Sequence, residues 1–321
     1  MRLFPQFRVL IQARAIICIV LGLIALACGT GIEVTEHVTD KDVRRVMDQT
    51  DTRQPPITLD VYTDSLQAWK IGKRFWVADD KVTQMLVVTA GYDNDTLHLA
   101  GHVLTYRGYS RSGQVLYGDN RRIYIDFNDE QTGLDLHYCI SGREATQTIF
   151  SLPMLVDLDM VDHVARQLVG KEFYIRTPIW YDRQTEQMKD GRRFIKVLID
   201  SVLPGNEVLP LRVLFTAVDS GERAMVWMSD NVSTMHGRDF DALFVANDPH
   251  LSYPAIGDKN WLLITCGQIV EGMTKEECLL SLGTPKHIAE RPDQGGLKEY
   301  WYYDGGSYLY FVDGLLSQFR R

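Results

Sequence analysis

The chain has 321 residues with 42 acidic against 34 basic side chains, a formal charge of −8. That balance argues against nucleic acid as a partner, since nucleic acid demands a basic footprint, and against a peripheral grip on anionic lipid head groups. A hydrophobic share of 45% is that of a folded chain, and five scattered cysteines are too few for a disulfide scaffold.

The first predicted segment is a targeting signal over residues 1–27. Arg2, Arg8 and Arg14 form a basic front with no acidic residue, and Ala15 to Ala27 is apolar apart from Gly22. This is the charged and apolar pair of a secretory signal, and it falls short of the roughly 20 apolar residues of a membrane span. "LIALAC" (23–28) then resembles a bacterial lipoprotein signal, in which the cysteine thiol is diacylglycerated and becomes the first mature residue. The resemblance makes Cys28 the lipid attachment. The branched residue stands one place late, at Leu26, with Ala25 where leucine is usual. Ordinary cleavage, with Cys28 there by chance, is the competing reading. By the same resemblance Gly29, which is not an aspartate, favours the outer membrane. The expected mature chain has lost three arginines, leaving 31 basic against the 42 acidic residues. Its hold on the bilayer then rests on acyl chains, at about 0.8 kcal/mol per buried methylene.

Residues 28–60 read as a polar tether and a short amphipathic helix at 39–51, with Val43, Val46 and Met47 on one stripe and Pro55 and Pro56 beyond it. From 61 to 158 the period is two. Runs such as "KRFWVAD", "TLHLAGHVLTYRGY", "RRIYIDFN" and "GLDLHYCI" alternate with turn chemistry, which predicts a first antiparallel β module, barrel or sandwich. A helix is expected at 159–170, with Met160, Val161, Val164, Leu168 and Val169 as its apolar stripe and Gly170 as its stop. The strand rhythm then returns in a second β module, 159–245. "WKIGKRFWVADD" (69–80) aligns with "QLVGKEFYIRTP" (167–178), and 103–118 can be laid on 213–228, so the second module is a candidate repeat of the first.

The last segment, 246–321, opens with apolar Trp261 to Ile264 and then "GMTKEECLLSLGTP". Thr274 and Glu277 make a capping box, Gly283 supplies a left-handed stop and Pro285 prevents resumption. So short a helix is marginal alone and must dock on something. "GMTKEE…LGTP", "EYWYY" and "LYFVDGLL" together resemble the SmpA/OmlA (BamE-like) domain of small bacterial outer-membrane lipoproteins. The resemblance implies two short helices on a three-stranded antiparallel sheet. The C-terminal fold also resembles the unit of β-lactamase inhibitory proteins. The expected fold class is therefore α+β, mostly β: two small antiparallel β modules, then a small helix-plus-sheet domain.

The aromatic hairpin depends on turn parity. A three-residue loop at Gly305–Ser307 puts Trp301, Tyr303, Leu309 and Phe311 on one face, and Tyr300, Tyr302, Tyr308 and Tyr310 on the other. A two-residue loop divides the tyrosines. The first register places the more apolar set inward and leaves a tyrosine stripe, either packed under the upstream modules or open as a partner-binding patch.

No catalytic constellation emerges. His98 and His102 lie four apart on a strand pattern, which separates them by about 13 Å and does not suit a metal. "DFNDEQTGLD" (126–135) has the carboxylates of a calcium loop but the wrong glycine position and no closing glutamate. "GYSRSG" (108–113) is not a nucleophile elbow, and "SDN" (229–231) lacks companion motifs. No cofactor is implied. Of Cys139, Cys266 and Cys278, a Cys266–Cys278 bridge is the one pairing considered. The expectation is a lipid-anchored, non-enzymatic envelope protein that binds another envelope protein. The alternatives are an inhibitor or ligand-binding module, or an enzyme whose site is assembled from distant residues.

Overall fold

The computed structural model describes residues 59–60, 62, 64–87, 97–116, 120–147, 151–230, 237–293 and 296–320. The expected signal, Cys28, the tether and the 39–51 helix lie outside the described residues. The described part is mostly β, with antiparallel sheets.

The first sheet holds β1 (Arg74–Val77), β2 (Leu86–Val87), β3 (Val103–Leu116), β4 (Asn120–Asp129), β5 (Asp135–Ser141) and β6 (Leu155–Asp157), in the order β2-β5-β4-β3-β1-β6. Period-two alternation sets its faces. Leu136, Tyr138 and Ile140 of β5 are buried, and they share a core with Phe75, Val77, Ile125 and Phe127. The calcium-like stretch is the β4–β5 hairpin. Gly133 takes φ +74°, the left-handed position its turn requires. The Asp129 carboxylate is fully buried, and it accepts from the amides of Gln131 (3.2 Å) and Thr132 (3.3 Å).

The second sheet holds β7 (Glu172–Ile175), β8 (Ile179–Tyr181), β9 (Met188–Asp190), β10 (Ile195–Pro204), β11 (Leu211–Ala217), β12 (Arg223–Met228) and β13 (Phe244–Val245), in the order β13-β7-β10-β11-β12-β8-β9. Read from its β6 end, the first sheet runs β6-β1-β3-β4-β5-β2. Position by position this is the second order without β9, and the strands occur in the same chain sequence. The Gly-Lys-x-Phe alignment falls on equivalent strands, β1 and β7, which share one alternating burial pattern. The second alignment does not fit. It lays β3 on β11 and β12 together, whereas the topological partner of β3 is β10. Alternating β-branched residues look alike in any strand, so similarity of that kind does not fix a register.

The helix Leu158–Leu168 buries Met160, Val161, Val164 and Leu168 in the core of the second sheet, and Asp157 caps its first turn through the Asp159 amide at 2.9 Å. Val169, expected on the same stripe, is instead the extended C-cap and is 43% exposed. The wall between the two sheets is shared. Phe75 and Val77 of β1 face the first core, while Trp76 and Ala78 pack on the second. In β6, Leu155 belongs to the first core and Val156 to the second.

The third sheet is a meander of β14 (His287–Asp293), β15 (Gly296–Tyr302), β16 (Tyr308–Val312) and β17 (Leu315–Arg320). It has four strands where three were expected. The extra one, β14, reads "HIAERPD", with one β-branched residue and a proline, and proline is tolerated on an edge strand. The helices Asp258–Thr265 and Lys275–Leu282 accompany it. The capping box of Thr274 and Glu277 is formed, and Gly283 ends the second helix at φ +83°.

Lys73 joins the first sheet to the helix Leu158–Leu168. Its side chain is 3% exposed, and its ammonium lies 2.8 Å from Asp157, 3.1 Å from Asp159 and 3.6 Å from Asp64. It also donates to the Tyr62 hydroxyl at 3.2 Å. Burial works against the charged form, but Asp157, Tyr62 and Asp159 outweigh it, and Lys73 titrates well above the ordinary lysine value. A raised folded-state pKa stabilises below the unfolded value of about 10.4, and that contribution fades only as pH climbs through the folded one. Lys73→Ala is therefore expected to destabilise by about 3–5 kcal/mol in urea at pH 7, because it strips the aspartates of their partner. In acid, where the aspartates protonate, the difference from wild type should shrink.

Candidate functional site

The C-terminal sheet has one packed face and one aromatic face. Trp301, Leu309, Phe311 and Leu316 form a core with Ile269, Met273 and Cys278. Buried Glu299 shares this side, where it accepts from Lys275 and from the Trp301 indole at 3.2 Å. Tyr303, assigned to the same face, is half-buried and donates to the Gly283 carbonyl at 3.0 Å.

The opposite face carries Tyr300, Tyr302, Tyr308 and Tyr310. Tyr300 pairs with Tyr310, and Tyr302 with Tyr308. The turn is Asp304–Gly306 rather than Gly305–Ser307, with Gly305 and Gly306 at φ +69° and +79°. This moves the pairing by two residues, which leaves every side chain on its expected face. The Tyr300 and Tyr310 rings lie 4.7 Å apart, Tyr300 and Tyr302 6.4 Å, and Tyr302 and His287 5.9 Å. Tyr302 is 41% exposed and the other three tyrosines are half-buried.

The sequence pattern alone does not place the basic residues of this face. His287 pairs with Tyr302, Lys298 with Val312, and Arg320 with Tyr308. All three therefore sit on the tyrosine side. Period two puts Lys298 beside Tyr300, but His287 requires knowledge of β14 and Arg320 the register of β17.

An aromatic cluster ties the helix Asp258–Thr265 to the approach to β10. Trp261 stacks on His250 (4.5 Å, 8° between planes), on Phe194 (5.6 Å) and on Tyr253 (6.1 Å). Arg193 donates its amide to Thr265 and its guanidinium to the Leu280 carbonyl, both at 3.0 Å. The latter bond satisfies a carbonyl that the end of the Lys275–Leu282 helix leaves without an internal partner. Burial, without a carboxylate among the described residues to balance it, holds the Arg193 guanidinium below its usual pKa.

The structure separates the residues considered for chemistry. His98 and His102 face different carboxylates, Asp80 at 3.2 Å and Asp129 at 3.0 Å. "GYSRSG" lies inside β3, and Ser229–Asp230 follow β12, with the rest of that motif outside the described residues. Among the described residues no group of three or more His, Cys, Asp or Glu could hold a metal. Cys139, Cys266 and Cys278 are free, so the considered Cys266–Cys278 bridge is absent. No protein-family model matches the chain, and no curated protein is found as a relative.

Trp261→Ala should loosen the hold on the two C-terminal helices. Limited proteolysis is expected to cleave the chain between the second and third sheets much faster than in wild type, after a loss of about 3–5 kcal/mol. Burial pushes the Cys278 thiol up to about 12, while Cys266 is exposed. Maleimide labelling at pH 7.5 followed by mass spectrometry should therefore modify Cys266 within minutes, and Cys278 only after unfolding.

Proposed function

We propose that this chain is a lipid-anchored, non-enzymatic protein of a Gram-negative cell envelope, which binds another envelope protein through the tyrosine face of its C-terminal sheet. The single observation that carries the binding role is that face. Four tyrosines converge on two adjacent strands, and their packed counterparts Trp301, Leu309 and Phe311 lie on the other side. Tyrosine presents a broad apolar surface with a polar tip and few rotatable bonds, which suits it to interfaces. The anchor is Cys28, for which the basic and apolar segment ahead of "LAC" is the support. Attachment by acyl chains is consistent with a chain whose net charge gives no purchase on anionic head groups.

In this reading residues 246–321 are a SmpA/OmlA (BamE-like) domain with one additional edge strand. Ahead of it stand two related β modules, 61–158 and 159–245, supported as copies by their shared strand order and by the aligned β1 and β7. The outer membrane is the proposed location. A second reading, an inhibitor or ligand-binding module resembling β-lactamase inhibitory proteins, is favoured by the exposure of Tyr302 on the sheet surface.

Fractionation of cells expressing wild type or Cys28→Ala tests the anchor. Wild type is expected in the outer-membrane fraction with an acylated mature terminus by mass spectrometry, and Cys28→Ala in the soluble envelope fraction. Capture from solubilised envelopes tests the face. Tyr300→Ala with Tyr310→Ala should lose at least nine-tenths of the specifically recovered partner while the domain stays folded by circular dichroism. Equal recovery would remove the tyrosine face from the proposal.

A further inference from the structure

Beside the Lys73 cluster, the seam between the two β cores opens into a cavity of about 400 Å³. Its apolar wall is drawn from both cores, with Phe75, Ile140 and Leu155 from the first and Val156 and Met160 from the second. Its polar wall is acidic. Asp64 precedes β1, Glu144 stands in the turn after β5, Asp157 ends β6, Glu207 lies in the β10–β11 connection and Asp230 follows β12. Among the described residues no lysine, arginine or histidine lines the cavity, and Arg143, the sequence neighbour of Glu144, is exposed outside it. Lys73 balances part of this charge from behind the wall, at 2.8 Å from Asp157 and 3.6 Å from Asp64. One ammonium against five carboxylates leaves the cavity strongly negative. Glu144 and Glu207 come from separate elements yet act on one group. Burial first, and then the charges of these two carboxylates, raise the Tyr138 hydroxyl well above its usual pKa. That hydroxyl donates to the carbonyl of Pro153, another lining residue, at 3.2 Å. The Glu144 carboxylate is held in place by one oxygen, which accepts from the Ser141 amide at 2.7 Å and the Ser141 hydroxyl at 2.8 Å.

We infer that this cavity takes a small organic amine, an ammonium group carried on an apolar body. The volume is that of a small-molecule site. A protein partner covers a broad surface of roughly 800 Å² on each side, which is not the footprint of a hollow this size. The apolar wall selects an apolar body, and the carboxylates select its charge. A cleft lined by one sign of charge, with walls of low dielectric, focuses the field and concentrates the opposite charge. An anion of the same shape meets like charges, and a neutral molecule gains nothing from the acidic wall. A bare metal ion makes no use of the apolar wall, and no group of three or more His, Cys, Asp or Glu among the described residues could hold one. None of the lining residues belongs to the tyrosine face, so the inference is independent of the role proposed for that face.

The test uses the full chain in a non-ionic detergent, with carbon-labelled methionine methyls read by NMR. Met85 and Met160 line the cavity, and the remaining methionines serve as controls. Met85→Leu and Met160→Leu assign the two signals. The probes share one body and differ in charge: phenylbutylammonium, phenylbutanol and phenylbutanoate. The ammonium should shift both methyl signals saturably and bind about tenfold more tightly than the alcohol, with the carboxylate weaker still and the gap narrowing as salt rises. Glu144→Gln with Glu207→Gln, at two exposed positions, should weaken the ammonium about fivefold and leave the alcohol unchanged. Equal affinity for ammonium and alcohol, tighter binding of the carboxylate, or an ammonium affinity unmoved by the double variant overturns the amine assignment. Shifts at Met85 and Met160 no larger than at the control methionines, or no shift at millimolar ammonium, overturn the site itself.

Discussion

A lysine ammonium enclosed by carboxylates sits where two hydrophobic cores meet, and the arrangement of the β-rich part depends on it. Lys73 precedes β1, whose alternate residues serve both cores. Its aspartate partners Asp157 and Asp159 begin the helix that closes the second core. Moving an ion pair out of water is costly and is offset only when geometry and further hydrogen bonds are good. Here Tyr62 adds a hydrogen bond, and its ring lies 5.0 Å from the ammonium. An apolar residue at position 73 would leave the acidic helix start without its counter-charge. The two sheets are therefore not independent beads on a chain. The β1–β6 wall is common to both, and the lysine holds its edge to the next helix.

The same logic continues at the other end of the second sheet, with aromatic stacking in place of charge. Phe194 begins the approach to β10 at φ +58°, a left-handed conformation that an aromatic residue adopts only under constraint. That conformation is matched by its stack against Trp261 and by the neighbouring Arg193 contacts to both C-terminal helices. Strain at one residue is thus compensated by a joint. With the helices docked on this joint and on the packed face of the third sheet, the tyrosine face is held on rigid elements. For the proposed binding role, rigid presentation would lower the entropy lost on binding.

Much of this is legible in residue order, and the limits are physical. The capping box, its glycine stop and the parity of the Tyr300–Tyr310 hairpin obey local rules, and local rules survive folding. The hairpin pairing departs from expectation by two residues without consequence, since parity decides the face. Edge strand β14 escapes a pattern-based reading because an edge needs little β propensity and accepts Pro292. Val169 falls on the wrong side because helical periodicity does not say where the helix ends. Lys73 carries no local signal at all. Its aspartates at 157 and 159 are remote in sequence, and a Gly-Lys pair before a strand also occurs at Gly170–Lys171, where the lysine is exposed. His287 and Arg320 come to the tyrosine face through strand pairing alone.

Lys73 and Lys171 occupy equivalent positions in one strand order, yet one is buried among carboxylates and the other is in water. The difference lies where each sheet's closing strand ends and the next segment begins. β6 ends in Asp157, which caps the eleven-residue helix that follows, and the first turn of that helix adds Asp159, so both carboxylates reach Lys73. After β13 the chain makes only a four-residue turn, Pro249–Ser252, capped by Asp248 on the His250 amide. His250 then stacks on Trp261 rather than serving a lysine. A common sheet plan thus ends in a charged lock toward its neighbour in one case and an aromatic joint toward the helix Asp258–Thr265 in the other. The junctions, rather than the sheets, determine how the third sheet is presented.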